Sequence, residues 1–256
     1  MIRTVHLITF SPCGGTGNVM KAVGRDLPLP KREHDITLPQ NRMQEMRFGP
    51  DDLVVMGFPV YGGRMPIYFP SLIAHLKGTN TPLVMVAVYG NREYEGAFLD
   101  MHEAASANGF NPVAAIAAIA EHSCAPHIAT GRPDADDRDR LAAFGLQALD
   151  KAQKEQAAFT APGEHHIWSL PPDLEIYAQT DLQACTDCGC CAGVCPNGAI
   201  PADAPQSTAA DKCIACMACI KYCPAKARRL GNPATMKEFS SHLLNAVERK
   251  EPEISV

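Results

Sequence analysis

Cys185-Thr186-Asp187-Cys188-Gly189-Cys190-Cys191-Ala192-Gly193-Val194-Cys195-Pro196 is followed downstream by Cys213-Ile214-Ala215-Cys216-Met217-Ala218-Cys219-Ile220-Lys221-Tyr222-Cys223-Pro224. With Cys190 set aside, both stretches keep the spacing C-x2-C-x2-C-x3-C-P, which makes them an internal repeat. Spacings this short let consecutive sulfurs converge on adjacent metal atoms, and the proline turns the chain away after the last one. Residues 181–230 are poor in large apolar side chains. The segment therefore needs something other than a hydrophobic core to fold, and bound metal can supply it. Zinc also accepts four cysteines, but its sites use two CxxC pairs per metal. The run of four seen here is the arrangement that holds iron–sulfur cubanes.

Upstream, residues 1–160 alternate short β-branched runs with helical stretches. Val5 to Phe10, Leu53 to Phe58, Leu83 to Val88 and Val113 to Ile119 read as buried parallel strands, and Asp35 to Leu38 as a further one. Helices are expected at about 17–26, 68–77, 96–108 and 135–158. Such alternation predicts a doubly wound five-stranded parallel α/β sheet, whose ligand sites lie beyond the carboxyl ends of its strands. Residues 161–180, with Pro162, Gly163, Pro171 and Pro172, read as a linker anchored by Trp168. A small α+β cysteine-rich domain spans 181–230. A helical stretch from Thr235 to Val247 and a charged, frayed end complete 231–256.

Composition narrows the function. The 256 residues carry 11 cysteines and a formal net charge of -5, with 46% hydrophobic residues. Disulfides are not expected, because the N-terminus lacks a basic segment, a signal-type apolar stretch and a cleavage site. The longest apolar run, Val113 to Ala120, is far below the roughly 20 residues of a membrane span. A soluble, reducing, cytoplasmic setting is the expectation. Basic residues are scattered, so nucleic acid is not an expected partner.

The loops after the strands carry the remaining chemistry. Ser11-Pro12-Cys13-Gly14-Gly15-Thr16 follows the first strand and runs into a helix, where small residues let backbone N–H groups approach a phosphate. It has neither the Walker A lysine nor GxGxxG, which argues against a nucleoside triphosphate and a dinucleotide. Pro59-Val60-Tyr61-Gly62-Gly63-Arg64 and Tyr89-Gly90-Asn91-Arg92-Glu93-Tyr94-Glu95 end on the same edge. Glu121-His122-Ser123 follows the fifth strand there, so His122 is a candidate proton donor, the alternative being a packed ring. Arg64 and Arg92 either orient an anionic group or are solvated.

The cysteine region resembles the two-cluster bacterial ferredoxins over residues 181 to about 230. That resemblance implies low-potential one-electron transfer, with the fourth cysteine of each run ligating the other cluster. Cys185, Cys188, Cys191 and Cys223 would hold one cluster, and Cys213, Cys216, Cys219 and Cys195 the other. Cys190 could compete with Cys191, but choosing it breaks the spacing the second run keeps. Cys124 reads as a small, partly buried side chain, the alternative being a redox or ligand role. Each oxidised cluster with its thiolates adds about -2, taking the chain to about -9. An acidic carrier of that kind suits a redox partner with a basic docking face.

The three N-terminal loops resemble those of flavodoxin, and the chain as a whole resembles the flavodoxin–ferredoxin fusion proteins. The resemblance implies FMN at the carboxyl edge of the sheet. Its phosphate would rest on Ser11, Cys13, Gly14, Gly15 and Thr16, and its ring between Pro59, Val60, Tyr61, Gly62 and Gly63 on one side and Tyr89, Gly90, Asn91 and Tyr94 on the other. Cys13 departs from the pattern, which has threonine there; a thiol is a weaker donor than a hydroxyl. Three functions follow: an electron carrier linking FMN, two clusters and a partner protein; a flavin-dependent reductase of a small organic substrate; or a ferredoxin whose α/β domain only docks.

Overall fold

The computed structural model describes residues 1–154, 159–165, 176–231, 243 and 246–256. Along the chain run β1 (Thr4–Thr9), α1 (Gly15–Val23), β2 (Lys31–Asp35), β3 (Met46–Phe48), β4 (Asp52–Pro59), α2 (Phe69–Leu72), β5 (Leu76–Gly78), β6 (Thr81–Tyr89), α3 (Ala97–Ala107), β7 (Phe110–Ile119) and α4 (Ala135–Lys154). The cysteine-rich part contributes β8 (Ala178–Thr180), α5 (Cys190–Gly193), α6 (Ala218–Lys221) and β9 (Arg228–Leu230), and β10 (Glu253–Ser255) closes the chain.

The main sheet has the order β10-β7-β6-β4-β1-β2. Its five N-terminal strands are parallel and follow the 2-1-3-4-5 pattern of flavodoxin-like doubly wound sheets. Side chains alternate faithfully across it. Val54, Met56 and Phe58 of β4 pack with Phe69 of α2 and Phe98 of α3, whereas Leu53 and Val55 face the layer that holds Val19 of α1 and Phe144 of α4. The sheet is thus covered on both faces, as long runs such as Leu83 to Val88 require. Helices α1 and α4 touch backbone to side: a Cβ on Gly145 would lie 2.2 Å from the Val23 carbonyl oxygen.

Several sequence expectations need correction. The second strand is Lys31–Asp35 rather than 35–38, because an edge strand with four of its five residues exposed carries no apolar signal. The helix expected at 68–77 is the single turn α2, after which β5 pairs with β3 in a separate two-stranded parallel sheet. The end of the chain is not frayed: β10 adds a sixth, antiparallel strand, with Glu253 opposite Ala117 and Ser255 opposite Ala115. Trp168 and most of the helix expected at 235–247 lie outside the described residues. No helix among the described residues is long and apolar enough to cross a membrane.

The amino half of β1 holds a buried polar chain. His6 Nε2 lies 3.4 Å from Asp52 Oδ1 and its Nδ1 lies 3.0 Å from His34 Nε2, the two rings stacked 5.3 Å apart. Burial lowers the pKa of both histidines. The unfolded chain then takes up protons near pH 6.5 that the folded chain refuses, so stability falls as pH drops below about 6.5. Thermal melts between pH 7.5 and 5.5 should show this loss, and His34→Gln should flatten the slope. An equal slope in the variant would remove these histidines from the account.

Candidate functional site

The two cysteine motifs fold as copies of one another, 28 residues apart, as 185 is from 213. Positive φ values recur at that offset: Asp187 (56°) with Ala215 (51°), Gly189 (72°) with Met217 (69°), and Gly198 (61°) with Lys226 (53°). The one-turn helices α5 and α6 recur likewise. So do two N–H···S bonds, Ala199 to Cys195 Sγ at 3.2 Å and Ala227 to Cys223 Sγ at 3.3 Å. Left-handed residues inside each C-x2-C step turn successive N–H groups inward, the concave backbone that iron–sulfur sites use. Met217 is a bulky residue held in this region, at a cost its surroundings must offset. The antiparallel pair β8–β9 brings the ends of the module together.

One cavity is lined by Cys185, Cys188, Cys191 and Cys223, with Cys190, Pro205 and Arg228 completing its wall. Cys216 and Cys219 are buried and have Cys195 as an electrostatic neighbour, and Cys219 also has Cys213. The fourth cysteine of each motif therefore lies with the first three of the other. Among the described residues no three Cys, His, Asp or Glu side chains close on a point that a single ion could fill. Burial pushes the Cys216 thiol well up, and bound iron would deprotonate it outright. The residues fit cubane ligation. The two sites differ in setting, since Cys188 is exposed whereas Cys216, its counterpart, is buried.

The buried motif abuts the loop after β1. The Cys13 thiol donates to the Cys216 carbonyl oxygen at 2.9 Å, and Lys221 Nζ donates to the Cys13 carbonyl at 2.8 Å. Arg42 Nη2 donates to the Pro196 carbonyl at 2.7 Å, and the Tyr68 hydroxyl to that of Asp211. Within the loop Gly14 takes φ 85°, a conformation suited to glycine. Ser11 Oγ accepts the Gly17 N–H at 2.8 Å, and the Ser11 N–H bonds Thr37 Oγ1 at 2.8 Å. The N–H groups of Cys13, Gly15 and Thr16 have no partner among the described residues. They are a fit for a phosphate at the mouth of α1. Burial pushes the Cys13 thiol up to about 12, so it is a protonated donor rather than a thiolate.

The ring-side loops divide. Tyr61 and Arg64 exchange backbone hydrogen bonds at 2.9 and 3.2 Å across Gly62 (φ 60°) and Gly63 (φ 75°), a two-residue turn that demands glycines. Tyr61 has Cys216, Cys13 and Cys124 as electrostatic neighbours, and its pKa is held well above the ordinary value by burial first. This loop stays beside the cluster motif. In the other, Tyr89 is buried, Gly90 lies under the His122 ring, and Asn91 Nδ2 donates to the carbonyls of Ala246 and Glu248, each at 2.6 Å. The Tyr94 hydroxyl donates to Glu253 Oε2 at 2.8 Å. Asn91 and Tyr94 thus hold the carboxyl-terminal segment.

His122 Nδ1 accepts the N–H groups of Cys124 and Ala125 at 3.2 Å each, and burial lowers its pKa, so it caps a turn as a neutral ring. Arg64 makes a bidentate pair with Asp100 at 2.7 and 2.6 Å, and Arg92 pairs with Glu95 at 2.9 Å. Neither is spare for an anionic ligand. Pro59 and Val60 lead out of β4, the Val60 N–H bonding the Val88 carbonyl at 2.8 Å. Sequence reasoning missed Lys221, Arg42 and Arg228, each basic residues in a cysteine-rich or polar stretch with no motif to single them out.

Residues 209–229 match the family described as 4Fe-4S binding domain. No curated protein matches the chain. Among solved structures the chain is similar to a flavodoxin of Streptococcus pneumoniae TIGR4 (14% identity, 59% of this chain and 99% of that one, TM-score 0.38). It is also similar to an archaeal flavodoxin (10%, 59% and 99%, 0.40) and to a short-chain flavodoxin associated with a bacterial microcompartment (17%, 59% and 99%, 0.37). The fold assignment itself rests on strand order. The 4Fe-4S match supports an electron-transfer role. More particularly, the chain joins a flavodoxin-like α/β domain to a ferredoxin-type 4Fe-4S binding domain.

Proposed function

We propose that this chain is an electron carrier that passes electrons between FMN, two [4Fe–4S] clusters and a partner protein. The observation that carries the reading is the seating of the second motif on the loop after β1, through Cys13 Sγ to the Cys216 carbonyl at 2.9 Å. A cluster on Cys195, Cys213, Cys216 and Cys219 would lie against the loop proposed to hold the flavin phosphate. A cluster on Cys185, Cys188, Cys191 and Cys223 would lie farther out, at the exposed Cys188. When bound, FMN supplies one- or two-electron exchange and the clusters supply single-electron steps. The chain's own residues set positions: Gly14 opens the loop, Lys221 clamps it to the cluster motif, and Cys13 donates across the junction.

A docking-module reading is favoured by a separate observation, the capture of Asn91 and Tyr94 by residues 246–253. Titration with FMN, followed by quenching of its fluorescence, separates the two. The native chain is expected to bind through the N–H groups of the loop, and Cys13→Thr to bind with little change, because the side chain at 13 is engaged by the Cys216 carbonyl rather than free for the phosphate. Absence of binding in both forms would hand the α/β domain to docking alone.

A further inference from the structure

Arg228 opens β9 with its residue 5% exposed, so its guanidinium sits inside the cysteine-rich module. Nη2 donates to Thr208 Oγ1 at 2.7 Å, and Nη1 to Thr180 Oγ1 and to the Pro205 carbonyl at 3.3 Å. All of these partners are neutral. Among the described residues no carboxylate pairs with it, in contrast to the other buried arginine, Arg132, which is matched by Asp137. Nε is buried and bonds none of these oxygens. A guanidinium buried among neutral partners is costly, and a protein retains one where a negative group offsets it.

What the buried guanidinium faces is cysteine. Arg228 lines the cavity bounded by Cys185, Cys188, Cys191 and Cys223. Arg228 Nη1 and the Cys191 thiol meet at the same Pro205 carbonyl, at 3.3 and 3.2 Å, and on the other side the guanidinium has Cys219 of the second set as its neighbour. Its charge therefore lies between the two sites. The repeat makes this asymmetric by design of sequence, since the position 28 residues earlier is Ile200, an apolar residue.

We propose that Arg228 is the cation that sets the reduction potentials of the clusters, its fixed positive charge stabilising the added electron at both. This rests on the two-cluster reading. An oxidised cluster with four thiolates carries about -2 and gains one further negative charge on reduction, so a buried cation favours the reduced form. The residue acts on the clusters through charge and holds no iron itself.

Electron-paramagnetic-resonance-monitored titration of the anaerobic holoprotein with dithionite tests the assignment. Arg228→Met is expected to weaken electron binding about tenfold, a fall of about 59 mV for a one-electron couple. Arg228→Lys, which keeps the charge but loses the planar fork, should hold most of the native potential. Arg229→Met, at the exposed neighbouring position, should leave it unchanged. Potentials unmoved in Arg228→Met, or lowered as much by Arg228→Lys or Arg229→Met, would overturn the proposal. Should Arg228→Met lose its iron, Arg228→Gln is titrated in its place. Emptied sites in both would make Arg228 purely structural and also overturn it. Failure of the native chain to hold two clusters is a separate result, read from its iron content, that sinks the parent reading instead.

Discussion

Cys195→Ala is expected to empty the site formed by Cys213, Cys216 and Cys219 while leaving that of Cys185, Cys188 and Cys191 loaded, although the second motif itself is untouched. Iron should fall from about eight to about four per chain. The expectation follows from where the fourth cysteines lie: Cys195 neighbours Cys216 and Cys219, and Cys223 lines the cavity of the first three. Cys223→Ala should give the mirror result. The exchanged ligands also tie the halves of the module together, so both variants should lose some stability. Paramagnetic spectra of the two variants side by side distinguish the residual cluster. If Cys195→Ala instead lost the site at Cys185, Cys188 and Cys191, each motif would own its cluster and the crossed assignment would fall.

The second large effect is expected far from the cysteines. The Asp137 carboxylate, 1% exposed, takes two N–H groups of the Arg132 guanidinium, 5% exposed, and also accepts the Asp134 N–H at 2.9 Å. Arg132 Nη1 in turn donates to the Lys250 carbonyl at 2.9 Å, and Arg249 reaches Asp134 at 2.8 Å. This network fastens the segment before β10 to the start of α4. Asp137→Ala leaves a guanidinium buried without its partner and should cost about 3–5 kcal/mol. The double variant Arg132→Met/Asp137→Leu should cost less, because neither charge is then stranded. Urea denaturation measures both, and a single-variant loss below about 1 kcal/mol would mean that water reaches the pair.

The parts of this molecule written in a local code were legible beforehand. Cysteine spacing at 185–195 and 213–223 and the apolar runs of β4, β6 and β7 each depend on neighbours a few residues away. Four of the sheet's five parallel strands and the loop at 11–16 follow from that alone. What escaped is held by distant partners. Lys31–Asp35 is exposed on most of its length and becomes a strand only because β1 offers an edge. Glu253–Ser255 likewise becomes a strand on β7. Asn91 and Tyr94 stand in a loop suited by sequence to a flavin ring, and their engagement by residues 246–253 could not be read from either segment separately. Arg228 is one more surface-type residue in the sequence, and only its burial between the cysteine sets makes it a candidate for tuning them.

The proposed joining of a flavin and two cubanes in one chain is tested most directly by the cofactor content of anaerobically purified protein. Iron and acid-labile sulfide should each come to about eight per chain. Heat or acid should release FMN in equal amount to the chain. Zinc without sulfide, or about four iron per chain, would contradict the two-cluster account.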